Sequence, residues 1–204
     1  MHIIESYAAD SRLKIDKPFI YQKYFPLTFG DFITLNSDDK SASRDYKFWS
    51  TVTPLLSPYL KKRNISIVQI GTKDDSVIKG CIDLRGRGTI NQTSYIIDNA
   101  LLHLGAESGF TQLASGLAKK IVTIFPSGRK PCATGPYWSD SSNVVNITPD
   151  DENINSIAPE SIAKAVCDLL NIDFDYGYKT LFLGSAYDKA IIEHVPDTTI
   201  NVTG

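Results

Sequence analysis

The sequence predicts an α/β domain, a Rossmann-like, mostly parallel sheet with helices on both faces. Three observations carry that expectation. Short apolar runs recur at residues 32–35, 65–70, 81–84, 100–104 and 121–125. Segments of helical periodicity separate most of them, and parallel strands need such crossovers. Glycine or a polar loop follows each run, where the chain must turn from strand to helix.

With 204 residues, 42% hydrophobic and 22% charged, the chain is long enough for one sizeable domain, or for one domain plus a fragment. A net charge of -2 and a pI near 5.9 speak against a nucleic-acid footprint, which is normally basic. No apolar run reaches the ~20 residues of a membrane span, and the first residues lack the basic and apolar regions of a secretory signal. Cys81, Cys132 and Cys167 are widely spaced with no C-x-x-C pair, which suits a reducing compartment better than a disulfide framework. A cytoplasmic location is expected.

In chain order, residues 1–10 form a short helix with Ile3, Ile4, Tyr7 and Ala8 on one side, followed by an aromatic-rich segment over 21–29. The first strand is 32–35, with a polar loop at 36–43. Over 45–60, Phe48, Trp49, Val52, Leu55, Leu56 and Tyr59 recur at helical spacing, while Pro54 and Pro58 predict a kink or an early break. Strand 65–70 closes at Gly71. A short helix near 75–79, a strand over 81–84, a loop over 85–89 and a helix over 91–99 are expected next. After the central stretch come an edge strand at 143–147, an acidic loop at 149–155 and a helix over 159–170 with Pro159 near its start. A linker at 173–177 leads to a further strand, 181–184, and helix, 186–194. The expected division is residues 1–30 as an N-terminal helix and linker, 31–171 as the Rossmann-like domain and 172–204 as a strand-helix extension.

The rest is organised around residues 100–138. Strand 100–104 ends at Gly105, and Glu107-Ser108-Gly109 turns the chain into a helix whose apolar face holds Leu113, Ala114, Leu117 and Ala118. Strand 121–125 follows, then a loop rich in Pro and Gly. This is a βαβ unit whose turn lies at the carboxyl edge of a parallel sheet, where ligands bind. A helix N-terminus with free amides attracts anions. Ser108, Gly109, Phe110 and Thr111 can offer amides and two hydroxyls to a diphosphate; ordinary helix capping by Ser108 is the alternative. Lys40, Arg44 and Lys47 follow the first strand, and Arg85, Arg87, Arg129 and Lys130 stand on the same rim. Each is a candidate phosphate partner, with a solvated surface cation as the alternative. His103 lies inside a strand and reads as a core residue; with His2 and His194 scattered, no metal site is expected. A hydrolase G-x-S-x-G, a Walker A lysine and a helix-opening G-x-G-x-x-G are all absent from the sequence.

The stretch LGAESGFTQLASGLAKKIVTIFPSGRKPCATGP resembles the signature of the heptosyltransferase-type family 9 glycosyltransferases. Glu107 stands where that family usually has Asp, Gln112 where it usually has His, and Thr134-Gly135-Pro136 closes the loop. The likeness spans about residues 32–170 and implies the C-terminal, donor-binding half of a GT-B glycosyltransferase. It implies a nucleotide-diphospho-sugar as substrate, with no metal and no further cofactor. Ser108, Gly109, Phe110, Thr111 and Gln112 are then expected around the diphosphate, Gly88 and Thr89 near the nucleotide base, and Glu107 beside the donor sugar. Lys40 is expected to neutralise the leaving diphosphate. The resemblance further implies that residues 1–30 are the hinge after an acceptor domain that the chain lacks; a small subdomain packed on the sheet is the other reading. The expected function is a glycosyltransferase-like donor-binding domain, alone or completed by a separate acceptor-binding chain or a second copy. The alternative is a non-catalytic binding or interaction module that kept the fold.

Overall fold

The protein is described by a computed structural model over residues 1–37, 44–151, 153–183 and 189–194. Six strands, β1 (Phe32–Asn36), β2 (Ser66–Gln69), β3 (Ile82–Asp83), β4 (Leu102–Ala106), β5 (Lys120–Ile124) and β6 (Val144–Ile147), form one sheet in the order β3-β2-β1-β4-β5-β6. Every pairing in it is parallel. The expected Rossmann-like fold is present, with β6 at the edge as anticipated.

Strands β1 and β4 are buried on both faces along their whole length, as the middle of a covered parallel sheet must be. Their side chains alternate between two apolar layers. Ile33, Leu35 and Leu104 join Val52, Leu56, Ile162 and Val166 of α2 (Trp49–Lys61) and α6 (Pro159–Leu169). Phe32 and Ile121 join Ile96, Ile97 and Ala114 of α3 (Ile90–Asn99) and α4 (Gly109–Gly116) on the opposite face. Each such aliphatic side chain removed from water is worth about 1.5–3 kcal/mol. Helix α2 runs through Pro54 and Pro58 rather than breaking. Both prolines are exposed and one turn apart, so the missing amide bonds fall on the wet side.

The N-terminal helix α1 (Ile3–Ser11) has no buried residue. It is capped by His2, whose Nε2 lies 3.0 Å from the Gly135 carbonyl and whose ring packs on Tyr137 at 4.8 Å. The segment after it crosses α3 and α4, with Phe25, Leu27 and Phe29 against the second apolar layer. A short helix α5 (Pro131–Thr134) interrupts the loop after β5.

Two expected elements differ. No helix forms near 75–79, because side chains take the backbone groups that a helix needs. The Asp75 carboxylate accepts from Thr72 N and Oγ1 at 2.8 and 2.7 Å, while Gln69 bonds Ser76 O and Ile78 N at 2.7 and 2.9 Å. The helix expected over 186–194 is instead a strand where it is described. There β8 (Lys189–His194) pairs antiparallel with β7 (Tyr178–Leu183), from Tyr178↔His194 to Leu183↔Lys189. This hairpin forms its own two-stranded sheet, moored to α6 by Thr180, whose amide donates to Glu160 at 3.0 Å. Among the described residues no helix is long and apolar enough to cross a membrane.

Candidate functional site

The chain leaves β1 toward β2 on one side and β4 toward β5 on the other, so a crevice opens between the carboxyl ends of β1 and β4. Asn36 and Gly105 are register partners at its floor. A Cβ on Gly105 would stand 2.8 Å from the Asn36 carbonyl, so only glycine lets the strands meet there. The Asn36 amide is fixed by its Nδ2, which donates to the Ile70 carbonyl at 3.3 Å, and its Oδ1 accepts from Ser108 Oγ at 3.2 Å. Ser108 is thereby tied across the crevice.

That tie leaves Ser108 without a capping bond. It occupies the N-cap of α4 in an extended conformation (φ -158°, ψ 175°) but makes no side-chain capping bond. The first-turn amides of α4, which a helix leaves without intrahelical acceptors, are not closed by Ser108. Gly109 is exposed, and a Cβ built on it meets nothing within 4 Å. Phe110 is half-buried and packs on the α3 side. The Thr111 hydroxyl is fully buried and donates to the Ala106 carbonyl at 2.9 Å, so this residue can offer a ligand only its amide. Gln112 Nε2 donates to Thr134 O at 2.8 Å and Gly135 O at 3.3 Å, clamping the Thr-Gly-Pro loop onto the helix.

Glu107 joins β4 to α4 and is 7% exposed. Its amide donates to Ile124 O at 3.0 Å and its carbonyl accepts from Arg44 at 3.2 Å. Oε1 lies 3.4 Å from the Arg129 guanidinium; Oε2 is buried with no hydrogen-bond partner among the described residues. Ser37 Oγ, Gln112 Oε1 and Thr134 Oγ1 are also buried without partners among the described residues. So many unmet polar atoms along one rim mark it as a place where a polar ligand or water completes the bonding.

Gly88 and Phe110 come together with Gly71, Thr72, Gly86 and Thr93 around a pocket of about 350 Å³ beyond β2 and β3. Thr89 caps α3: its Oγ1 accepts from Gln92 N at 3.4 Å and its amide donates to Gln92 Oε1 at 3.0 Å. Arg85, a rim candidate by position, is structural. Its side chain is 9% exposed, paired with Asp83 at 2.8 Å and bonded to the Asp75 carbonyl. The Asp83 carboxyl is held below its ordinary range by hydrogen bonds from Arg85. Lys40 lies outside the described residues. His103 is fully buried, with Nδ1 3.0 Å from Thr34 Oγ1, and burial pushes its pKa down to about 3, so the ring is neutral. Among the described residues no group of three or more His, Cys, Asp or Glu side chains could hold a metal ion. The crevice residue that sequence reasoning missed is Asn36; a lone polar residue ending an apolar strand is the signal that marks it.

A covered parallel sheet in this strand order, with an open helix N-terminus at its switch point, defines a Rossmann-like domain of the kind that GT-B glycosyltransferases contain. In fold the chain resembles the family 9 glycosyltransferases. It is similar to the family 9 glycosyl transferase of Veillonella parvula (TM-score 0.58, 14% identity, 69% of this chain and 46% of that one). It is likewise similar to the ADP-heptose heptosyltransferase II of E. coli (0.58, 16%, 82% and 51%). A third similar structure is the E. coli heptosyltransferase WaaC with ADP (0.58, 11%, 71% and 46%). The chain therefore spans about half the length of these proteins. No protein-family model matches it, and no curated protein does.

Proposed function

We propose that this chain is a glycosyltransferase-type domain that binds a nucleotide-diphospho-sugar donor in the β1/β4 crevice. One observation carries the reading: α4 begins at that crevice with its N-cap hydroxyl turned away to Asn36 and with open space over Gly109. Backbone amides and the helix dipole then face a ligand phosphate rather than their own cap. The diphosphate lies over residues 108–111, the nucleoside extends toward Gly88 and Phe110, and the sugar meets Glu107, whose free Oε2 accepts from a hydroxyl. Gln112 acts from behind, holding the Thr-Gly-Pro loop.

Glycosyl transfer breaks the bond between the anomeric carbon and the diphosphate oxygen, and the electron pair leaves with the diphosphate. Donors already aimed at that oxygen stabilise the developing charge. The amides of α4 supply part of this, and Lys40, four residues after Asn36 in sequence, supplies a cation. The proton of the acceptor hydroxyl goes to a base outside residues 107–112. Of the expected site residues within the described chain, Glu107 alone carries an ionisable carboxyl, which favours as second reading a domain that binds donor without turning it over.

Titration of the chain with a nucleoside, its diphosphate and the matching nucleotide sugar tests the proposal. The structural neighbours are named for ADP and ADP-heptose, so the adenine series comes first, followed by uridine and guanosine series. Diphosphates are expected to bind well above their nucleosides, and Lys40→Ala to weaken the diphosphates far more than the nucleosides. Equal, feeble binding of all ligands overturns the proposal, and product formed by the isolated chain rejects the second reading.

A further inference from the structure

Glu107 sets an electrostatic problem for any anion in this crevice. A carboxylate that is 7% exposed, one residue before Ser108, repels a diphosphate seated over 108–111, and partial burial strengthens the repulsion. The chain's answer comes from the loop after β5. Arg129 N donates to Pro126 O at 3.3 Å, closing a tight turn whose third residue, Gly128, has φ 77°. That left-handed position suits glycine and returns the chain toward β4. The Arg129 guanidinium then lies 3.4 Å from Glu107 Oε1, its side chain 51% exposed against 10% for the glutamate. Arg44 meanwhile bonds the Glu107 carbonyl at 3.2 Å. One guanidinium thus holds the main chain of Glu107 and the other its charge.

The geometry points to Arg129 as the residue that lets the crevice take an anion, by cancelling the Glu107 carboxylate beside the diphosphate cradle. This rests on the reading of the crevice as a nucleotide-diphosphate site. The pair also accounts for the asymmetric carboxylate, with Oε1 on Arg129 and Oε2 free to accept. Arg129 is a positioning residue for ligand charge: it acts on the anion through Glu107.

The test is a cycle of Arg129→Ala, Glu107→Gln and the double variant, titrated with ADP, UDP, GDP, inorganic pyrophosphate and adenosine, with circular dichroism as folding control. Arg129→Gln, which keeps part of the stem, replaces Arg129→Ala if the latter misfolds. Arg129→Ala is expected to weaken the best diphosphate and pyrophosphate at least fivefold and to leave adenosine unchanged. In the Glu107→Gln background the same substitution is expected to change affinity less than twofold, because no carboxylate remains to be cancelled. A loss that persists there means that Arg129 acts directly on the ligand, and it overturns the inference. Parent-like binding by Arg129→Ala overturns it too, while leaving the crevice reading intact. A parent chain that binds neither diphosphates nor pyrophosphate overturns the crevice reading, and the inference falls with it.

Discussion

Helices α3 and α4 present their N-termini to the same rim, yet they begin in opposite ways. At α3 the chain closes on itself: Thr89 and Gln92 exchange side-chain and backbone bonds in a full capping box. At α4 the residue in the capping position gives its hydroxyl to Asn36 on another strand, and the first turn stays open. The sequences Thr-Ile-Asn-Gln and Ser-Gly-Phe-Thr both look like helix starts. The difference is tertiary: only α4 faces a neighbouring strand whose last residue can claim the cap. At α3 the cap is made within the helix, and at α4 it is not.

The contrast can be broken most sharply at Gly109. Nothing lies within 4 Å of a Cβ there, so Gly109→Val keeps the fold and fills only the space over the cradle. Calorimetric titration is expected to show at least a tenfold loss of nucleoside-diphosphate affinity, about 1.4 kcal/mol, with an unchanged melting temperature. Parent-like affinity in a folded variant puts the anion site elsewhere. The opposite pattern is expected at α3. Thr89→Ala removes a working cap and costs about 1 kcal/mol of stability in denaturant unfolding, with far less loss of diphosphate affinity than Gly109→Val. The smallest effect belongs to Ser108→Ala. It removes the bond to Asn36 rather than a donor to the ligand, so diphosphate affinity falls by no more than about 0.5 kcal/mol, and the unfolding midpoint moves less than in Thr89→Ala. A larger stability loss at Ser108 than at Thr89 reverses the roles assigned to the two helix starts.

Much of the sheet was legible in the sequence, because buried parallel strands are written as short apolar runs followed by glycine or a polar loop. The runs around Ile33, Val68, Leu104 and Val122 needed no tertiary knowledge. What failed were segments decided by side-chain bonds or by a distant partner. Asp75 and Gln69 turn a stretch with helical spacing into a loop, and β8 becomes a strand by pairing with β7. At the site, the turn from Glu107 to Gln112 stood out through its small residues and its family likeness. The tasks of those residues did not. Thr111 and Gln112 look like ligand-binding groups in one dimension, yet the Thr111 hydroxyl is engaged by Ala106 and the Gln112 Nε2 by Thr134 and Gly135. Arg85 and Arg129 are both rim arginines by position; a two-residue reach to Asp83 makes the first structural, while a turn at Gly128 brings the second to Glu107.

Behind the open end of α4, its last residue has a different kind of neighbour. A Cβ on Gly116 would come within 2.6 Å of Ile20 Cδ1 and 3.1 Å of Pro18 Cγ, so the segment before β1 lies directly on the helix. Positions 18, 20 and 116 therefore form one steric unit across almost a hundred residues of sequence. Among related chains they are expected to co-vary: a larger residue at 116 calls for a smaller one at 20, and glycine at 116 should accompany a bulky aliphatic there. The far end of α4 is thus constrained from the segment before β1, and a substitution at Ile20 bears on the helix as one at Gly116 does.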